Sequence, residues 1–402
     1  MASAPTKPAP NYTRWSLLCI ALSIPLAILF YQRRLREPVA VVRFATFNVA
    51  LNRPAPGQLL QELRGGGSAA AKQLAAIVQR AQPDVLLLCE VDHDDAGAAA
   101  AAFADEYLAV SQQGLAPIRF EYRWIAPSNT GEPTGRDLDK DGRADGPGDA
   151  YGYGAFPGQY GMVLLSRHPI LADKARTFRL LPWAAMPGAL RPEGAYDDAT
   201  WAALRLSSKS HWDVPIGIGG QVVHALCSHP TPPAFDGPED RNGCRNHDEI
   251  RFWVDYLTPG KGDWIVDDAG ARGGLPDGER FVVMGDLNCD PKDGDSRRQA
   301  LLDLLAHPRA QDPEPRSSGG VEWSRKQFGA NATHAGDALL DTGDFDDAVG
   351  KGPGNLRVDY VVPARSLRVV QAAVFWPAER EAGAALAPAS DHRLVWVDVA
   401  AP

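Results

Sequence analysis

Apolar residues gather along this chain in short runs of five to nine, and each run carries a polar residue at or next to one end. The runs are residues 41–49 (VVRFATFNV), 85–90 (VLLLCE), 161–167 (GMVLLSR), 222–229 (VVHALCSH), 281–288 (FVVMGDLN), 358–362 (VDYVV) and 394–399 (LVWVDV). Their length and β-branched content predict buried strands. Two segments between them have helical character. Residues 68–82 (SAAAKQLAAIVQRAQ) precede the second run, and residues 246–257 (NHDEIRFWVDYL) place Asn246 as N-cap with Glu249 three positions on, a capping-box pattern. Strands interspersed with helices predict a layered α/β (α+β) fold. Three stretches rich in Gly, Pro and Asp, at about 126–159, 185–220 and 308–355, read as insertions in a domain spanning 41–402. No internal repeat appears.

The first forty residues show another pattern. Residues 15–31 (WSLLCIALSIPLAILFY) carry no charge, and Arg14 and Arg33, Arg34 and Arg36 bound them. A helix of that length just spans a bilayer core. A signal peptide also fits, but no A-x-A-like cleavage site comes after it, so an uncleaved anchor is the preferred reading of residues 1–40. A buried core helix fits poorly, because every face is apolar and Pro25 lies in the middle. The downstream arginines alone favour a cytoplasmic body. The loop-rich, acidic character of that body weighs against this, and the expectation is an extracytoplasmic protein: membrane-anchored, periplasmic or secreted.

Composition narrows the chemistry. With 45% hydrophobic and 23% charged residues, the 402-residue chain is that of a folded globular protein. The net charge is −9, although residues 1–40 hold five basic residues and one acidic. So acidic a body is a poor general binder of polyanions, except where bound cations or a basic patch reverse the field. None of Cys19, Cys89, Cys227, Cys244 and Cys289 stands in a CxxC pair, which speaks against a thiolate zinc site. Cys227 and Cys244 flank one Pro/Gly-rich loop and could pair in an oxidising compartment. Two free thiols are the favoured reading.

The ends of the apolar runs hold the candidate chemistry. In Gly285-Asp286-Leu287-Asn288, strand alternation would face Asp286 and Asn288 the same way. A carboxylate can orient a water or hold a metal, and a neutral amide can donate to a phosphoryl oxygen. Glu90 ends a run of apolar residues, where an unpaired carboxylate is costly and a hard divalent cation would remove the cost. Asn48, His229, Asp359 and the Ser390-Asp391-His392 triplet close or open other runs.

Taken together, these pieces resemble the endonuclease/exonuclease/phosphatase superfamily. The matching segments, in the family's order, are TFNV, PDVLLLCEV, YGMVLLSRHPI, CSHP, MGDLN, RVDYVV and SDH. The resemblance implies a four-layer sandwich of two packed mixed β-sheets flanked by helices. It further implies a divalent-metal-dependent phosphoester hydrolase, acting on nucleic acid, phospholipid or a small phosphate ester. Glu90, with Asn48 and Asp391, would hold Mg²⁺ or Mn²⁺. Asp286 would orient or deprotonate the attacking water, and Asn288 and His229 would stabilise the phosphoryl oxygens. His392, oriented by Asp359, would act as acid/base partner. Pro230 departs from the apolar residue usual after that histidine. His224 competes with His229, but its place inside the run favours a structural role.

The insertions add further candidates. Asp137, Asp139 and Asp141, with Gly142 sixth, resemble the start of a Ca²⁺ loop, though the twelfth position is Gly148 rather than Glu. Lys209, His211, Trp212 and Arg191 could reach a substrate phosphate; each is as readily an ordinary surface or packing residue. The rival readings are a secreted nuclease specifically, or a calcium-binding surface module that keeps the fold without catalysis. A serine hydrolase built on Ser390, Asp391 and His392 fails, because adjacent side chains diverge.

Overall fold

The structure is a computed structural model that describes residues 1–3, 5 and 40–401. The apolar stretch 15–31, and with it the expected anchor, lies outside the described residues. Among the described residues, no helix is long and apolar enough to cross a membrane. The chain divides into two units between Ala40 and Val41, and every strand and helix among the described residues belongs to the second, Val41–Pro402.

In chain order the strands are β1 (Val41–Leu51), β2 (Val85–Val91), β3 (Tyr122–Trp124), β4 (Gly161–Ser166), β5 (Arg176–Thr177), β6 (His211–Ile218) and β7 (Gln221–Ser228). The remainder are β8 (Arg280–Asp286), β9 (Gly343–Asp344), β10 (Asn355–Leu356), β11 (Asp359–Pro363), β12 (Val369–Val374) and β13 (Val395–Ala400). One sheet has the order β12-β13-β1-β2-β4-β3 and the other β11-β8-β7-β6-β5, while β9 and β10 form a separate pair. Both large sheets are mixed, with parallel pairs β1–β2 and β7–β8.

Period-two alternation sorts the side chains of the first sheet. Phe44 of β1, Val85, Leu87 and Cys89 of β2, and Met162 and Leu164 of β4 enter the core shared with the second sheet. Their neighbours Ala45, Phe47, Leu86, Leu88, Val163 and Leu165 face the other way, toward the helices Gln58–Leu63 and Ala69–Ala81. Each fully buried Leu or Phe contributes about 1.5–3 kcal/mol, so β2, buried on both faces, is anchored from both cores. The helix Ala69–Ala81 begins where the sequence places it, with the Ser68 hydroxyl accepting from Ala71 N at 3.3 Å. On the second sheet, the helix Arg241–Leu257 buries Ile250, Phe252, Trp253 and Tyr256. Helix, sheet, sheet and helix make four layers.

The structure corrects two sequence expectations. Residues 211–218, within the expected insertion 185–220, form β6 and pair with β7 along its whole length. Pro215 and Gly217 disguise a strict alternation, in which Trp212, Val214, Ile216 and Ile218 are all buried. The proline is tolerated because β5 covers β6 only at Asp213 and Trp212. The second correction concerns the helix expected from Asn246. It starts five residues earlier, at Arg241, and Asn246 and Glu249 lie buried inside it. Their side chains serve tertiary contacts rather than a cap. Cys89, Cys227, Cys244 and Cys289 are buried free thiols, so Cys227 and Cys244 do not pair.

Candidate active site

The site forms where the two sheets present their strand ends to one another. Asn48 carries on the parity of Phe44 and so points to the side shared by the sheets. Glu90 would not: alternation sends it to the helix side with Leu86 and Leu88. Its backbone is left-handed, φ 61°, and β2 shifts register against β4 between Cys89 and Val91. Such an irregularity re-aims a side chain at some local strain. Glu90 thereby meets Asn48, whose Nδ2 donates to Glu90 Oε1 at 3.1 Å and to Asp286 Oδ2 at 3.1 Å.

Asp286 ends β8, and its neighbour in the register on β11 is Asp359. Like charges directly opposite one another repel. His392 relieves that repulsion. Its Nδ1–H donates to Asp359 Oδ2 at 2.9 Å, and its Nε2 stands 3.6 Å from Asp286 Oδ2. Burial disfavours a charged ring, but Asp359 and Asp286 outweigh it, and the His392 pKa is pushed up to about 10. For Asp286, burial is the main cause of a pKa pushed up to about 6, with His392 pulling it down and Asp359 raising it. Phe345 stacks edge-on to His392, with ring centroids 5.3 Å apart.

Asn288 reaches the site by a turn, not by strand alternation, because β8 stops at Asp286. Asn288 is left-handed, φ 51°, a conformation asparagine tolerates, and its N–H donates to Asp286 Oδ1 at 2.9 Å. Gly285 is required by packing, since a Cβ there would stand 1.9 Å from the Ser228 carbonyl oxygen. His229 comes directly after β7, with Nε2 3.4 Å from Asp286 Oδ2. Burial first, then the charges of Lys209 and His392, hold its pKa well below the ordinary value. The contact is therefore that of a neutral ring with a carboxylate, not an ion pair. One ring is neutral and the other charged, and both face the same oxygen, Asp286 Oδ2.

Asp391 is exposed at the rim, tied to Asn48 through Ser390. The Ser390 hydroxyl donates to Asn48 O at 2.8 Å and lies 3.4 Å from Asp391 Oδ1. Glu90 retains some open surface but has protein on most sides, and burial raises its pKa against the hydrogen bond from Asn48. Asn52 Nδ2 donates to Glu90 Oε2 at 2.9 Å, and among the described residues no Arg, Lys or His pairs with that carboxylate. A buried carboxylate flanked by amides and a second carboxylate, without a protein cation, suits a hard divalent ion. Ligand atoms close enough to share one ion belong instead to Asp286, Asp359 and His392. Since Asp359 is already bonded to the ring, that group reads as a charge network rather than a cation cage.

The structure thus brings Asn48, Glu90, His229, Asp286, Asn288, Asp359, Asp391 and His392 together. Arg191 pairs with Asp198 on the surface, and Trp212 is core. His211 is also taken up inside, between the Ser207 hydroxyl and Glu249 O, and burial brings its pKa down to about 4. His224 is bonded to Asp213 at 2.6 Å, the structural role its position suggested. Sequence reasoning missed Asn52, Ser390 as a bridge, and Thr342, whose hydroxyl accepts from Val358 N and Asp359 N. None has a local signal, because each acts through a partner distant in sequence.

The sequence profile of the Endonuclease/Exonuclease/phosphatase family matches residues 45–392. The chain belongs to this family. Its members are generally hydrolytic phosphoesterases that depend on a divalent metal. Among solved structures, the chain is similar to an endonuclease/exonuclease/phosphatase from Beutenbergia cavernae (18% identity, 90% of this chain and 72% of that one, TM-score 0.51). It is also similar to sphingomyelinase C from Streptomyces griseocarneus (17% identity, 89% and 99%, TM-score 0.44). A third similar structure is beta toxin from Staphylococcus aureus with bound magnesium ions (12% identity, 89% and 99%, TM-score 0.43). At these identities the likeness shows the fold alone. No curated protein matches the chain.

Away from the site, the acidic loop differs from the expected pattern. Asp137 and Asp139 come together with buried Asp149, not with Asp141. Asp141 accepts from Arg143 N at 2.8 Å instead. Calcium is expected to raise the melting temperature through this group, by about 2.7 kcal/mol of stability at a hundred times its dissociation constant, and Asp139→Ala is expected to remove the rise. Melting curves with no calcium dependence would leave the loop as a set of solvated turns.

Proposed function

We propose that this protein hydrolyses a phosphoester by attack of water at phosphorus, with Mg²⁺ or Mn²⁺ held by Glu90, Asn48 and Asp391. The observation that carries this reading is the placement of Asp286. Its Oδ2 faces the amide of Asn48, itself bonded to Glu90, and two histidine rings, one neutral and one charged. When bound, the cation supplies Lewis-acid stabilisation of charge on the phosphoryl group.

The rest is done by the chain. Asp286 is deprotonated at neutral pH yet basic enough to take a proton from water. As the new P–O bond forms, that proton passes to Asp286, and the P–O bond to the leaving group breaks. His392, charged and aimed by Asp359, gives its Nε2 proton to the leaving oxygen. Asn288 Nδ2 and the neutral His229 ring donate to the phosphoryl oxygens, where charge grows in the transition state.

The test is a panel of plasmid DNA, sphingomyelin, a phosphate monoester and a generic aryl phosphodiester, each with Mg²⁺, Mn²⁺ and Ca²⁺. Metal-dependent turnover of at least one is expected. Predominant cleavage of DNA would select the nuclease reading. Failure on all four, with Ca²⁺ binding retained, would favour the non-catalytic surface module.

A further inference from the structure

One buried cation near the site has no partner adequate to its charge. Lys209 is 7% exposed, in the segment Ser207–Ser210 just before β6. Its ammonium carries three donors. Among the described residues its one hydrogen bond is long, donated to Pro230 O at 3.5 Å, and it forms no ion pair. That same Pro230 oxygen accepts from Asn288 Nδ2 at 3.1 Å. Lys209 and Asn288 thus border one point; burial lowers the Lys209 pKa, the carboxylates of Glu249, Glu90 and Asp286 oppose that from beyond contact distance, and His229 feels the same charge. A buried ammonium serving only to neutralise carboxylates would be expected in direct contact with one, because unpaired burial of charge is costly.

The backbone around Lys209 is fixed by the helix Arg241–Leu257. Glu249 Oε1 accepts from Ser208 N at 2.6 Å and from the Ser208 hydroxyl at 2.9 Å. Its other oxygen accepts from Thr231 N at 2.7 Å. Asn246 Nδ2 donates to Thr231 O at 2.8 Å and Leu287 O at 3.0 Å. Two buried side chains of one helix therefore tie together the three segments that carry Lys209, His229 and Asn288. On the opposite side, Asn129 N donates to Lys209 O at 2.9 Å.

We infer that Lys209, with Asn288 and His229, forms an anion subsite that takes a non-bridging oxygen of the substrate's phosphoryl group. The inference rests on the phosphoester reading of the site and deepens it. Lys209 contributes the only full positive charge of the three, so it governs phosphate affinity as well as turnover.

The test uses the full chain with Mg²⁺, wild type against Lys209→Met and Lys209→Ala. Lys209→Met is expected to lower kcat/KM on an aryl phosphodiester by about 10²–10³-fold, as loss of one charge-stabilising donor does. Inhibition by inorganic phosphate is expected to weaken by about tenfold or more, and the rise in melting temperature caused by phosphate to disappear. Methylamine is expected to restore part of the turnover of Lys209→Ala, saturably, and not that of Lys209→Met, where the methionine fills the space. A folded Lys209→Met protein within about threefold of wild type in kcat/KM, with unchanged phosphate inhibition, would overturn the inference. So would a loss recovered entirely by raising Mg²⁺, since that marks a role in metal affinity alone. If the wild type turns over nothing in the panel but loses its phosphate response on Lys209→Met, the subsite stands and the hydrolytic reading falls. No turnover and no phosphate response in the wild type would overturn both.

Discussion

Replacing His392 by alanine is expected to lower kcat by about 10²–10⁴-fold, the usual contribution of a positioned proton-transfer group, with a much smaller change in KM. The ring is buried, with only a small part of its surface exposed. It bridges Asp359 and Asp286, which face one another across β8 and β11, and sets a positive charge between the two carboxylates. Its Nδ1–H is committed to Asp359, which leaves Nε2 as the only proton available to a reacting oxygen. Asp359→Asn is expected to cause a smaller loss, because the ring keeps a hydrogen-bond partner but loses the charge that favours its protonated form. The double variant is expected to be less impaired than the two losses multiplied, since both act through one ring. Steady-state kinetics on the four proteins, with melting curves to establish folding, decide the matter. Near-wild-type turnover by a folded His392→Ala protein would reduce the histidine to a packing residue just before β13.

Glu90→Gln is expected to weaken Mg²⁺ binding by more than about tenfold and to lower activity most at limiting metal. The fold should survive, and metal-free stability offers a second readout. Burial raises the Glu90 pKa in the folded state. A folded carboxyl with a raised pKa binds a proton where the unfolded one has released it. Stability without metal therefore falls as pH rises through the ordinary carboxylate range toward the folded pKa, and the deficit persists above it. In chelator, Glu90→Gln is expected to lack that part of the decline and to melt no lower than wild type at neutral pH. Added Mg²⁺ should reverse the order by stabilising only the wild type. Equal Mg²⁺ stabilisation of both proteins would place the cation elsewhere.

Much of the site is legible in the sequence because its residues sit at the ends of apolar runs. A polar residue there cannot be explained by strand packing, which is why Asn48, Glu90, Asp286 and His229 stand out. The fold is legible for the same reason, since the runs are long enough to fix strands. What the sequence hides are features set by tertiary partners. Asn246 and Glu249 have the spacing of a capping box but are interior helical residues whose partners lie in three separate loops. β6 is masked by Pro215 and Gly217, residues typical of loops, although it pairs with β7 along its whole length. The turn of Glu90 toward Asn48 depends on a left-handed backbone at a register shift, against the alternation of β2. In the acidic loop, local turns compete for the carboxylates: Asp141 is spent on Arg143 N, and Asp149 joins from beyond the twelve-residue pattern.

The most direct test of the account is turnover of an aryl phosphodiester by wild-type protein stripped with chelator, then given back Mg²⁺ or Mn²⁺. The expected result is loss of turnover on stripping and its return with the metal, saturating at an occupancy that Glu90→Gln shifts to higher concentration. Full turnover by the stripped protein would contradict it.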